Sequence, residues 1–221
     1  MLELWILPTA AAYGAAVLLR RRWSSPLLNP TLVAMAALAA ALLATGVPYA
    51  EYASGTSWLT ALLGPAVVAL AVPLHRERET LRRHARPIAL GAVVGAMCAI
   101  AVGVVAAAIL HLAPAWALAL TSRSATAPIS IALAGELHGA AALSAVLSVL
   151  AGVAGATLGP RWLDLVRVRD PLARGLAHGI ASHGIGTARM LDETRLAGAT
   201  AAMGMALGGI VVAVALPLLF G

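Results

Sequence analysis

The chain has 221 residues, is 61% hydrophobic and 11% charged, and has a mean hydropathy of +0.92. Soluble domains of this size are about one quarter charged, so an ordinary globular protein is excluded and an all-α polytopic membrane protein is implied. The formal net charge of +6 comes from 15 basic residues, all arginine. They lie in short runs between apolar segments, which marks them as topology signals and not as a nucleic-acid surface.

The first apolar segment, Leu2–Leu19, carries Glu3 where a signal peptide has a basic region, and "RRR" (Arg20–Arg22) follows it. It therefore reads as a retained first span. The second, Leu27–Gly46, is expected to start with Asn29 as N-cap and Pro30 in the first turn. A connection, Val47–Ser57, holds Glu51 and two tyrosines but no arginine. The third span, Trp58–Leu74, is short for a hydrocarbon core of about 30 Å. Pro65 and Pro73 should kink or break it and free backbone groups for a cavity.

The fourth span is Pro87–Leu112. Its Cys98, the single cysteine, reads as a small packed side chain and leaves no disulfide or cysteine-based metal site. Ala115–Leu137 is apolar but interrupted at "LTSRSATAPIS" (Leu120–Ser130). Glu136 and His138 then precede the fifth span, Gly139–Pro160, and read as interfacial, with Glu136 a minor candidate for proton coupling. A second interrupted element, Pro171–Arg189, contains "GIASHGIGTAR" (Gly179–Arg189). The sixth span, Leu196–Phe220, has no acidic or basic residue and bears a small-residue face, Gly198–Gly209, suited to close helix packing.

Arginine parity orders these segments. Arg20–Arg22, "HRERETLRRHAR" (His75–Arg86) and "RWLDLVRVRDPLAR" (Arg161–Arg174) belong in the cytoplasm by the positive-inside rule. With the N-terminus outside, the fourth span runs outward, so one net crossing must separate it from Arg161–Arg174. Ala115–Leu137 is therefore expected as a re-entrant hairpin or broken pair from outside, and Pro171–Arg189 as its counterpart from the cytoplasm. The expected architecture is about six full transmembrane helices plus two re-entrant or broken elements, arranged like the inverted repeat of a secondary transporter.

These two elements carry the candidate site. An arginine facing lipid costs at least ~2.5–3.5 kcal/mol, so Arg123 is expected in a cavity, where its planar fork suits a carboxylate. Ser124, Thr126, Ser182 and Thr187 supply hydroxyls, and His183 is the ring able to exchange a proton near neutral pH. Pro128, Gly179, Gly184 and Gly186, with Pro65, are the expected hinge or close-approach positions. Arg189 reads as a cytoplasmic anchor. His178 and His183 are poorly spaced for shared metal ligation, and no metal or cofactor is expected. With no GxSxG elbow and no HExxH, no enzyme is expected.

The stretches "SPLLNPTLVA", "LLGPAVVALAVPL", "TSRSATAPIS" and "GLAHGIASHGIGTARMLDE", in this order, resemble the LrgB/CidB family of bacterial membrane proteins over roughly Leu27 to Phe220. Arg123 stands where the family pattern has a lysine, and the proline that precedes it in the family is missing. The resemblance implies one LrgB-like integral membrane domain over residues 1–221, in the bacterial plasma (inner) membrane. Within it, residues 2–112 would form scaffold spans, and the interrupted elements with the last two spans a core.

The family is described as a holin/antiholin-like system acting on murein hydrolases and autolysis, beside a separate LrgA/CidA-like membrane partner. Related proteins move glycolate and glycerate in plastids or are tied to pyruvate uptake. The implied function is secondary transport of a small monocarboxylate coupled to H+ or Na+, by a homo-oligomer. The alternative is regulation of murein hydrolase export and cell lysis.

Overall fold

A computed structural model of the protein describes residues 5–23 and 28–221. The expected starts of the first two spans, Leu2 and Leu27, with Glu3, Ser25 and Pro26, lie outside the described residues. All regular structure within them is helical. The chain divides into two compact units at Ala71/Val72.

The first unit contains α1 (Ile6–Arg22), α2 (Pro30–Thr45), α3 (Tyr49–Gly55), α4 (Ser57–Ala61) and α5 (Leu63–Ala69). The α2 start is as expected: the Asn29 side chain accepts from the Thr31 N–H at 2.9 Å, with Pro30 in the first turn. The connection after α2 is not a plain loop but includes α3. The Tyr52 hydroxyl of α3 lies 3.2 Å from that of Thr9, and its ring meets Trp5 edge-on. Pro65 lacks the N–H that would bond the Ala61 carbonyl, and its ring crowds that carbonyl. The helix accordingly breaks between Ala61 and Leu63. Pro73 acts in the same way on Ala69, where the chain breaks again before α6 (Ala71–Arg76).

The second unit contains α7 (Arg78–Arg83), α8 (Ala85–Ile109), α9 (Pro114–Ser122), α10 (Ala127–Glu136), α11 (Ala141–Leu165), α12 (Pro171–Glu193) and α13 (Arg195–Phe220). Four described runs are long and apolar enough to cross a membrane: Ser57–Arg76, α8, α11 and α13. The expected six full spans are thus not all matched in length. The apolar α2 has 16 residues, and the 17-residue α1 ends in three arginines.

Both interrupted elements are helical hairpins. Arg174 and Glu193 lie 3.0 Å apart, whereas 19 residues of straight helix would separate them by about 28 Å. The reversal is at His183 (φ 46°, ψ −130°). In the other hairpin, α9 and α10 are the legs and Arg123–Thr126 the tip. Its base closes where the Ala140 N–H bonds the Ala115 carbonyl at 3.4 Å.

Three helices show that the hairpins open toward opposite ends. On α11, the first hairpin's base is at Ala140 and the second's is at Asp164, which pairs with Arg174. A 25-residue helix separating them is about 37 Å long. On α8, a Cβ at Gly91 would meet Leu176 of the second hairpin, and one at Gly103 would meet Thr121 of the first. On α13, Gly208 lies beside Ile180 and Gly209 beside Ile129, so both hairpins reach its middle.

α8 and α11 are therefore antiparallel, and the second and third arginine clusters share one end, as parity requires. Close approach depends on small residues. A side chain at Gly175 or Gly179 would overlap the Ala197 or Ala201 carbonyl of α13, the small-residue contact expected of this face. Cys98, by contrast, is exposed and not packed.

Helix ends also show a feature that composition hid. α8, α10 and α11 stop at His111, His138 and Arg167, all at positive φ. The next N–H bonds back to Ala107, Ala134 or Leu163, closing the last turn. Glu136 and His138 are exposed, in keeping with interfacial positions.

Paired hairpin tips as the candidate functional site

The two tips touch. His183 Nε2 donates to the Arg123 carbonyl at 2.9 Å, and this contact lies at Gly152, near the midpoint of α11. His183 occupies a backbone region normally left to glycine, at a cost of about 1–3 kcal/mol. The sequence offered Gly179, Gly184 and Gly186 for unusual backbone angles or close approach. Gly179 and Gly186 serve close approach, a Cβ added at Gly184 would meet only Met205 Sδ at 4.0 Å, and the strained angle falls to His183.

The first tip is held by serines. Ser130 Oγ donates to the Ser122 carbonyl at 2.7 Å, joining the hairpin's legs, and Ser148 Oγ of α11 donates to Ser130 Oγ at 2.8 Å. The Ala125 N–H also bonds the Ser122 carbonyl. The Ser122 carbonyl at the end of α9 thereby accepts twice. The first-turn N–H groups of α10 have no intrahelical acceptor, Thr126 makes no side-chain cap, and Pro128 lies in the first turn of this helix. A second helix start, after His183, reaches the same place. Both present positive dipole ends.

Arg123 is half-buried. Its Nη1 donates to the Leu120 carbonyl at 2.8 Å, and a Cβ on Gly103 would stand 3.1 Å from that nitrogen. No carboxylate of the described residues pairs with it. Ser124 Oγ and Ser182 Oγ are buried without a hydrogen-bond partner. Unpaired buried hydroxyls cost about 1–3 kcal/mol each, so the tips hold donor capacity that an anion would use. Thr187 is less available, since its hydroxyl donates to the His183 carbonyl at 2.8 Å.

The structure therefore brings Arg123, Ser124, Ser182 and His183 to the tips, with Thr126 on the rim of the first and Thr187 one turn inside the second. Pro65 lies in the first unit and only breaks its own helix. Arg189 pairs with Glu193 at 3.5 Å, at the second hairpin's base. Sequence reasoning missed Ser130, Ser148 and the glycine row Gly152, Gly155 and Gly159 of α11. Their signal was a run of small residues at spacings of three and four along one span. It also missed Arg174, whose Nη1 lies 2.6 Å from Asp164 and whose Nε lies 3.0 Å from Glu193. No cluster of three metal-ligating side chains occurs among the described residues.

The LrgB-like family pattern matches residues 9–221. An uncharacterized protein of Bacillus subtilis, YxaC, is 37% identical over 91% of this chain and 88% of its own length. Holin-like protein CidB of Staphylococcus epidermidis is 30% identical, and that of Staphylococcus aureus 31%, each over 98% of this chain and 94% of its own length. No solved structure matches. With the family pattern spanning nearly every residue and these full-length relatives beside it, the chain belongs to the LrgB-like family.

Proposed function

We propose that the paired tips form a site for a small monocarboxylate of the glycolate, glycerate or pyruvate type, carried across the membrane by alternating access. One observation carries this reading: Arg123, a permanent cation at the centre of an apolar bundle, has no carboxylate partner among the described residues. Arg123 binds the carboxylate, with Ser124, Thr126, Ser182 and Thr187 orienting it. The two helix starts add partial positive charge, and His183 holds both tips together while offering Nδ1 to a proton. Transport proceeds as the hairpins shift against α8, α11 and α13. The bilayer is the plasma membrane, with the N-terminus outside and the arginine clusters in the cytoplasm. The carrier is a homo-oligomer with a separate LrgA/CidA-like partner.

A second reading is favoured by the names of the two staphylococcal relatives, which are holin-like proteins. On that reading the chain takes part in a holin/antiholin-like system that governs murein hydrolase export and lysis, and the tips open as a pore. Proteoliposomes separate the two. Labelled glycolate or pyruvate should enter saturably, and Arg123→Ala should reduce uptake at least tenfold. Saturable uptake untouched by that substitution refutes the site. Release of trapped, unrelated dye in place of saturable uptake favours the pore.

A further inference from the structure

Arg174, His178 and Ser182 recur every four residues along the first leg of the second hairpin, so they share one helix face. That face looks onto the α11 glycine row. A Cβ at Gly159 would stand 2.7 Å from His178 Nε2, one at Gly155 would overlap the Ser182 hydroxyl, and one at Gly152 would stand 3.5 Å from His183 Nδ1. His178 Nε2 and the Ser182 hydroxyl are thus given room by a missing side chain opposite them, and His183 Nδ1 lies at contact distance from the same row.

The hydrogen bonds fix both tautomers. His178 Nδ1 lies 2.9 Å from the Arg174 carbonyl, which only accepts, so Nδ1 carries the hydrogen. Its Nε2 is then a bare acceptor, buried and unpartnered. In His183 the order is reversed: Nε2 donates to the Arg123 carbonyl, and Nδ1 is the acceptor. Between these two acceptors sits the unpartnered Ser182 hydroxyl. α8 and α13 pack on this leg through glycine and alanine. The charges around the file are Arg174, Glu193 and Arg189 of the same hairpin, Asp164 of α11, and Arg123 at the opposing tip.

We propose that His178, Ser182 and His183 form a proton path along the α11 seam, joining the Arg174 end of the bundle to the anion site at the tips. The inference rests on the anion-site reading above. A proton from water at the Arg174 end adds to His178 Nε2, giving an imidazolium that keeps its Nδ1–H on the Arg174 carbonyl. The Ser182 hydroxyl accepts that proton and passes its own to His183 Nδ1, which stands beside the bound anion until both leave. Side chains four apart on a helix are about 5–6 Å apart at Cβ, a gap that one bridging water spans.

The test uses the full chain in liposomes holding a pH-sensitive dye, with a glycolate gradient as the driving force. Wild-type protein should acidify the interior as glycolate enters. His178→Gln should cut net glycolate uptake and proton entry at least tenfold, while glycolate-for-glycolate exchange, which needs no net proton, stays within about twofold. Proton-coupled uptake that survives in His178→Gln overturns the path, as does wild-type uptake that moves no protons. If wild-type protein exchanges no glycolate at all, the anion site itself fails and the path falls with it. A second readout guards against misfolding of the variant: 15N-histidine spectra of the wild type should show His178 as the Nδ1–H tautomer, with Nε2 free to accept. An Nε2–H tautomer, which leaves no acceptor facing Ser182, rules the path out.

Discussion

His183 reverses the chain and bridges to the other tip, and on the reading proposed above it also offers a ring nitrogen to a proton. Glycine would relieve its backbone strain, worth about 1–3 kcal/mol, but would remove the only side-chain bond found between the tips among the described residues. His183→Gly is therefore expected to leave the thermal midpoint nearly unchanged while abolishing glycolate binding. His183→Ala keeps the strain and loses the bond, so it should be the less stable of the two in a melting experiment. Arg174 shows how burial sets the value of a charge pair. Arg174→Met leaves the partly buried Glu193 with only the longer 3.5 Å contact to Arg189 and should cost about 2 kcal/mol. Arg83→Met, which breaks an exposed pair with Glu79, should cost no more than about 1 kcal/mol. Thermal unfolding in detergent measures the difference, and equal shifts would contradict this burial argument.

The hairpins take their form from breakers whose effect is local and a closure that is not. The sequence signals were legible: "TSRSATAP" and "GIASHGIGTAR" stood out as polar interruptions, and both are tips. Proline effects on Trp58–Leu74 were legible too, because a missing N–H acts within one turn. The residue that bends the second hairpin was not. Three glycines surround His183, and intrinsic preference favours any of them; packing decided otherwise, since Gly179 and Gly186 are consumed in close contacts. Two element-scale outcomes follow. With Cys98 replaced by alanine, cysteines at Ala115 and Ala140 should form a disulfide, because the backbones meet there; a straight span from Ala115 to Leu137 would leave them free. Gly179→Leu should prevent the hairpin from docking on α13, and size-exclusion chromatography should show aggregated protein.

For the whole molecule, the antiparallel run of α8 and α11 makes a topology prediction. Single cysteines at Arg78 and Arg167 should react with an impermeant thiol reagent from one side of the membrane, and cysteines at His111 and His138 from the other. Labelling of positions 78 and 167 from opposite sides would undo the arrangement of hairpins around the shared helices. At this scale the second unit is a bundle whose polar groups converge at mid-height, while its outer faces carry exposed residues such as Val105, Val146, Leu158 and Ile210, as contact with lipid chains requires.

Composition and arginine spacing by themselves determined that the protein is an all-helical membrane protein, where it is interrupted, and that the second and third arginine clusters share an end. These are properties of local hydropathy and of charge counted along the chain, so no neighbour is needed to read them. Only the tertiary structure decided that the interruptions meet, that α11 clears a glycine row for them, that Arg174 is pinned at the base, and that His183 bears the strained angle. Those outcomes depend on side chains dozens of residues apart competing for the same space, and one-dimensional spacing carries no record of that competition.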